Sequence, residues 1–300
     1  MRMRAVVAGA VATLTLRLPE SLPAVLLINT APVRTHAALA DDPVLVLAKE
    51  YVARFEQTFS SVMWHEHYAQ EDHVQQKFAS SGAQFTRLAA KREIESDMLL
   101  VWIAREENWI AIRDVMTVDG VPPGNEGRLG ATLARPDASL DDLRALAAEN
   151  GRYNVGRILR TFNEPTLTLL FLNERNRDRF SFKRGSDEPV GDRDAVVYEF
   201  AERGPHTIVR DEMHDVPARG RMWIDPQTGQ ILQTFLELKD RHSHVTGQMT
   251  VRYGPHAGFD VLVPLDMRET YKADAGEQVM TVATYSNFRK FQTAARILRK

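Results

Sequence analysis

Residues 64–73, WHEHYAQEDH, place three histidines, three acids and two aromatics within ten positions. On a β-strand alternate side chains share a face, so His65 and His67 would stand about 7 Å apart. That is an i, i+2 pair able to chelate zinc or copper, and it needs at least a third ligand. A second H-x-H, His242-Ser243-His244, lies in or beside a turn. Two such pairs brought together would make a four-histidine site, the basis of a metal-dependent enzyme using His65 and His67. The same alternation puts Trp64, Glu66 and Tyr68 on the opposite face. The histidines are then left on a mixed, wet surface, and no metal ligand is assigned.

Other chemistry is scarce. No serine sits in a G-x-S-x-G elbow, His65-Glu66-His67 has the wrong spacing for H-E-x-x-H, and no Gly-rich phosphate loop is present. The chain has no cysteine, which excludes thiol catalysis, zinc ribbons and disulfides. Glu66, Glu199 and Glu269 fall within candidate strands and can point inward as paired carboxylates. In the blander reading they pair with Arg210, Arg252 and Arg268 on neighbouring strands. Arg152, Arg157 and Arg160 have near-helical spacing. They suit either a solvated helix face or the rim of a cavity that meets an anionic head group. No catalytic residue and no cofactor is assigned, and the chain reads as non-enzymatic.

The elements that would position these residues begin after residue 40. Residues 1–4 are positive and 5–16, AVVAGAVATLTL, form an apolar run too short to span a bilayer. Ala38-Leu39-Ala40 offers small residues where a signal peptidase reads. The expectation is a signal peptide over 1–40, cleaved after Ala40, and a periplasmic or secreted protein. An uncleaved leader would anchor it to the membrane. Residues 41–300 then form a single domain. With 38 basic and 40 acidic residues the chain gives no electrostatic reason for a nucleic-acid partner.

Apolar residues recur with helical spacing over 44–59, behind Asp42 as cap and Pro43 in the first turn. From Val62 the period shifts towards two. Residues 93–104 and 108–120 read as an antiparallel hairpin. The first of its strands is apolar on both faces, so it should be central and covered on both sides. Ser139 caps a helix running to residue 149. The stretch RYNVGRILRTFNEPTLTLLFLN, 152–173, reads as a second helical region broken at Pro165. Strands follow near 179–184, 194–202 and 206–213, then a hairpin around Asp225-Pro226-Gln227-Thr228-Gly229. Strands at 245–253, 261–271 and 279–287 bring the count to about eleven. A meander of that length curls. The expected fold is α+β, an antiparallel, strongly curved half-barrel with an N-terminal helix. The inserted helices plug or lid its concave mouth.

This order of elements, with WIDPQTGQILQTFLELKD at 223–240, resembles the lipoprotein-carrier superfamily of LolA, LolB and the N-terminal domain of the periplasmic sensor RseB. More closely, the chain resembles a group of uncharacterised exported bacterial proteins over most of residues 45–291. YVARFEQTFSSV, DMLLVW, WIAIRDVMTVDG, GRYNVGRILRTFNEPTLTLLFL, DVPARGRMWIDPQTGQIL and YSNFRKF carry that resemblance. In that group the first strand keeps E-x-Y-x-Q, here Glu66, Tyr68 and Gln70, without both flanking histidines. The superfamily resemblance implies a binding protein that holds a hydrophobic ligand, a lipid or acylated peptide, in a lidded half-barrel. It also allows an RseB-like sensor that contacts a membrane or envelope protein. The residues expected to line the interior are Trp102, Trp109, Trp223, Phe235, Tyr198, Phe200, Met249 and Tyr253. Whether they enclose a cavity or fill a core is open at this level.

Overall fold

The structure is a computed structural model that describes residues 5–7 and 42–290, apart from 61, 79, 104–107, 136, 159, 161–162 and 212–213. Nearly all of the expected signal peptide and its cleavage point therefore lie outside the described residues. Within that stretch Ala5–Val7 forms a short strand, β1.

Helix α1 (Pro43–Phe59) starts as its sequence requires, with the Asp42 carboxylate accepting from the Val44 N–H and Pro43 in the first turn. Its Tyr51, Val52, Phe55 and Phe59 face is fully buried. Strands β2 (Val62–Lys77), β3 (Gln84–Ile103) and β4 (Asn108–Val118) follow. Helices α2 (Arg128–Ala134) and α3 (Leu140–Ala147) come next, α3 opening on a capping box of Ser139 and Asp142. Then come strands β5 (Phe180–Asp187), β6 (Val196–Glu202), β7 (Val209–Asp211), β8 (His214–Asp215) and β9 (Ala218–Ile224). The last four are β10 (Ile231–Asp240), β11 (Val245–Gly254), β12 (Val263–Ala273) and β13 (Glu277–Lys290).

Ten strands form one antiparallel sheet in the order β4-β3-β2-β13-β12-β11-β10-β9-β6-β5, open at β4 and β5; β1, β7 and β8 make a separate three-stranded sheet. Thirteen described strands, against about eleven expected, thus divide between two sheets. The half-barrel closes its middle by pairing β2 with β13, the first and last long strands. Its concave face packs on α1 in one continuous apolar core, which includes Trp64, Leu100, Phe171, Tyr198, Met249 and Tyr271.

Three expectations need correction. The hairpin's first strand, β3, is covered on both sides but is second from the sheet edge rather than central. Helices α2 and α3 do not plug the concave mouth. Leu129, Leu133, Leu143 and Leu146 pack on the outer face, against Met63, Leu99, Val101 and Ile112. Each short helix has one apolar side, and the odd-numbered positions of β3 offer it an apolar row. Among the described residues of 152–173 there is no α-helix either. They run through bends and turns to a 3₁₀ turn at Leu169–Leu172. Gly156 holds φ +76°, and a Cβ there would lie 2.6 Å from Glu277 Oε1, so the chain cannot pass this point as a helix.

Candidate functional site

The irregular segment 150–173 fills the concave side, and it is fastened there by side chains of the sheet floor. Cross-strand register sets that floor. Met249, Glu269, Thr281 and Gln70 lie opposite one another along one row, across β11, β12, β13 and β2. Tyr271, Val279 and Asp72 form the next row. Glu66, Tyr68 and Gln70 are all fully buried, because alternation from Trp64 turns them inward.

Glu269 accepts three hydroxyl hydrogen bonds: from Tyr68 Oη at 2.8 Å, Tyr271 Oη at 2.5 Å and Thr281 Oγ1 at 2.6 Å. Tyr68 Oη in turn accepts from Asn163 Nδ2 of the segment, at 2.9 Å. Burial, then the Glu269 charge, pushes both phenols well above their ordinary range. Each therefore stays a donor to the carboxylate.

Gln70 Oε1 accepts from Arg160 Nη2 at 2.6 Å and from the Val155 N–H at 3.2 Å. The Arg160 side chain is fully buried, and its guanidinium lies 5.2 Å from the Tyr271 ring centroid. At the rim, Glu277 accepts from the Arg157 N–H at 2.5 Å and from Arg157 Nε at 3.1 Å.

Glu66 and Arg113 form a fork-on-fork pair, Nε to Oε2 at 2.6 Å and Nη2 to Oε1 at 3.1 Å. Burial opposes the Arg113 charge, but the adjacent Glu66 carboxylate outweighs it and raises the guanidinium further. Arg113 also donates to the carbonyls of Asn150 and Asn163, tying the start of the irregular stretch to its middle. Further on, Tyr253 Oη donates to the Pro165 carbonyl at 2.6 Å. Between them sits Glu164, whose carboxylate accepts from Thr166 Oγ1 at 3.1 Å. Burial raises it to about 7, against weaker opposing effects of Thr166 and Arg113.

Of the residues expected to line the interior, Tyr198, Phe200, Met249 and Tyr253 are buried within the main core. Trp109 joins them, its Nε1 donating to Glu56 of α1 at 3.0 Å. Trp223 belongs to the same core cluster and Phe235 packs against it, with Arg221 over both rings. The side chain of Trp102 lies outside the described residues.

The histidines do not converge. His65 and His67 are on the outer face, both bonded to Glu95, at 2.8 and 2.7 Å. His242 stacks on His214, and His244 pairs with Asp274. Among the described residues no group of three His, Cys, Asp or Glu is placed to hold a metal ion. Glu199 is exposed, while Arg210 pairs with Asp215 and Arg252 and Arg268 with Asp266. Arg152, Arg157 and Arg160 diverge to three settings, since the backbone between them is not helical. Arg113, Asn163, Tyr271 and Thr281 escaped notice in the sequence. For Arg113, Tyr271 and Thr281 the signal is polarity at inward positions of apolar strands, with partners visible only through register; Asn163, in the irregular segment, carries no pattern of its own.

No protein-family model matches the chain, and no curated protein matches it. It is similar to two solved structures at low identity. A LolA superfamily protein from Nitrosomonas europaea is 13% identical, with 88% of this chain and 99% of that one covered and a TM-score of 0.35. A DUF1329 family protein from Desulfovibrio piger is 13% identical, with 83% and 93% covered and a TM-score of 0.30. No helix among the described residues is long and apolar enough to cross a membrane.

Proposed function

We propose that the chain is a non-enzymatic, exported binding protein for a hydrophobic ligand, a lipid or acylated peptide. The ligand enters the concave face as segment 150–173 withdraws. The observation that carries this reading is the nature of what fills that face. Leu167, Leu169, Leu170, Phe171 and Leu172 are all buried, yet they belong to a stretch whose described residues hold one 3₁₀ turn and no strand paired to the sheet. Side chains hold it in place, so it can leave without breaking the β-ladder. Each such side chain is worth about 1.5–3 kcal/mol when buried, so only an apolar ligand can offset its removal. Tyr198, Phe200, Met249, Tyr253 and Trp109 are the sequence candidates that would line the vacated space.

Native mass spectrometry of gently purified protein tests the proposal. Co-purifying lipid mass, or uptake of a fluorescent fatty acid, is the expected result. A clean apo mass together with no uptake, in the wild type and in an Arg160→Ala variant with a loosened segment, overturns it.

A further inference from the structure

Segment 150–173 supplies cations as well as apolar side chains. Glu269, Glu277 and Asp72 stand on β12, β13 and β2 at one end of the concave face, and all three are buried. Arg157 pairs with Glu277. Arg160 fills a slot between the Gln70 amide oxygen and the face of Tyr271, whose hydroxyl donates to Glu269. Both arginines leave with the segment, and the three carboxylates stay with the sheet. The cations that remain are already engaged. Arg113 is held by Glu66, and Arg92 lies near Asp119. A separate observation points the same way, for Asp72 Oδ1 is buried without a hydrogen-bond partner. Burying carboxylates without a countercharge is costly, so whatever replaces the segment must bring one.

We infer that the ligand is an amphiphile with a cationic head, an ammonium or guanidinium, seated in the Arg160 slot beside Glu269, Glu277 and Asp72. Its apolar tail lies where Leu167–Leu172 lie now. This rests on the hydrophobic-ligand reading above and names the ligand class for that same site. Segment 150–173 is then an internal mimic of the ligand, head and tail together.

Two measurements on the full chain test this. The first is calorimetric titration with dodecylamine, dodecanol and dodecanoate, which share a tail and differ in head. The amine should bind roughly ten-fold tighter than the alcohol, the ratio expected of one charge-assisted hydrogen bond. Dodecanoate should bind weakest, and Asp72→Asn/Glu269→Gln should erase the preference while retaining the alcohol. Dodecanoate binding as tightly as the amine refutes the cationic head and leaves the hydrophobic-ligand reading standing. If none of the three binds, both fall. The second needs no lipid. Arg160→Ala should lower Tm, and millimolar ethylguanidinium should restore it in that variant but not raise it in the wild type. Absence of rescue overturns the cation slot even where dodecanol binds.

Discussion

Glu66 and Arg113 are both almost wholly buried, at 0% and 2% side-chain exposure. Such a pair stabilises little over an apolar pair of the same volume, but losing one partner strands a charge. Arg113→Met should therefore cost about 3–5 kcal/mol in chemical denaturation. Glu66→Gln/Arg113→Met should cost clearly less, and equal losses would refute the pairing. Glu164 has the opposite character, a buried carboxyl without a charge partner of its own. Its folded pKa of about 7 exceeds its ordinary 4.5. Below 4.5 both folded and unfolded states hold the proton. Between 4.5 and 7 only the folded state does, so stability falls as pH rises through that window and levels off above it. The loss should reach about 3 kcal/mol. Glu164→Gln should flatten this part of the stability–pH profile; an unchanged profile would rule out Glu164 as its source.

Among the elements, the β9–β10 hairpin does more than turn the chain. Gly229 holds φ +70°, and a Cβ there would lie 2.3 Å from the Leu47 carbonyl carbon of α1. The turn thus seats α1 against the sheet, and needs glycine for conformation and for space. Gly229→Ala should cost about 2 kcal/mol or more in urea unfolding. Segment 150–173 stands at the other extreme. Its attachment to the sheet is by side chains, whereas β2 is paired on both sides, with β3 and β13. Hydrogen exchange should release the amides of 150–164 well before those of β2 and β13. Equal protection would mean that the segment opens only with global unfolding.

At the scale of the molecule, the sheet is open at β4 and β5, and α2 and α3 brace it from outside at the β4 end. The rigid layers are therefore the sheet and its outer helices. The replaceable layer is the irregular segment on the concave side. A ligand that displaces it should leave the sheet intact while exposing Arg160 and freeing the backbone beside Arg152 and Arg157, whose side chains are already exposed. With dodecylamine bound, trypsin should cut within 150–173 faster than in the free protein, and spare the strands. Slower cleavage there would mean that a ligand closes the segment rather than displaces it.

Local pattern was enough for much of this. Period and capping placed α1, the hairpin of β3 and β4 and the turn at Gly229. Alternation alone sent Trp64, Glu66 and Tyr68 to one face and His65 and His67 to the other. The reason is that these properties depend on neighbours a few residues away. Segment 152–173 was misread, because its arginine spacing fits a helix while a positive-φ glycine and contacts across the fold forbid one. The apolar sides of α2 and α3 showed that they must bury something, but not on which face of the sheet. Likewise, nothing in residues 64–73 names Glu269, some 200 positions on, as the partner of Tyr68. That pairing exists because β2 docks on β13 and β13 on β12, and strand register between distant segments is decided only when the sheet assembles.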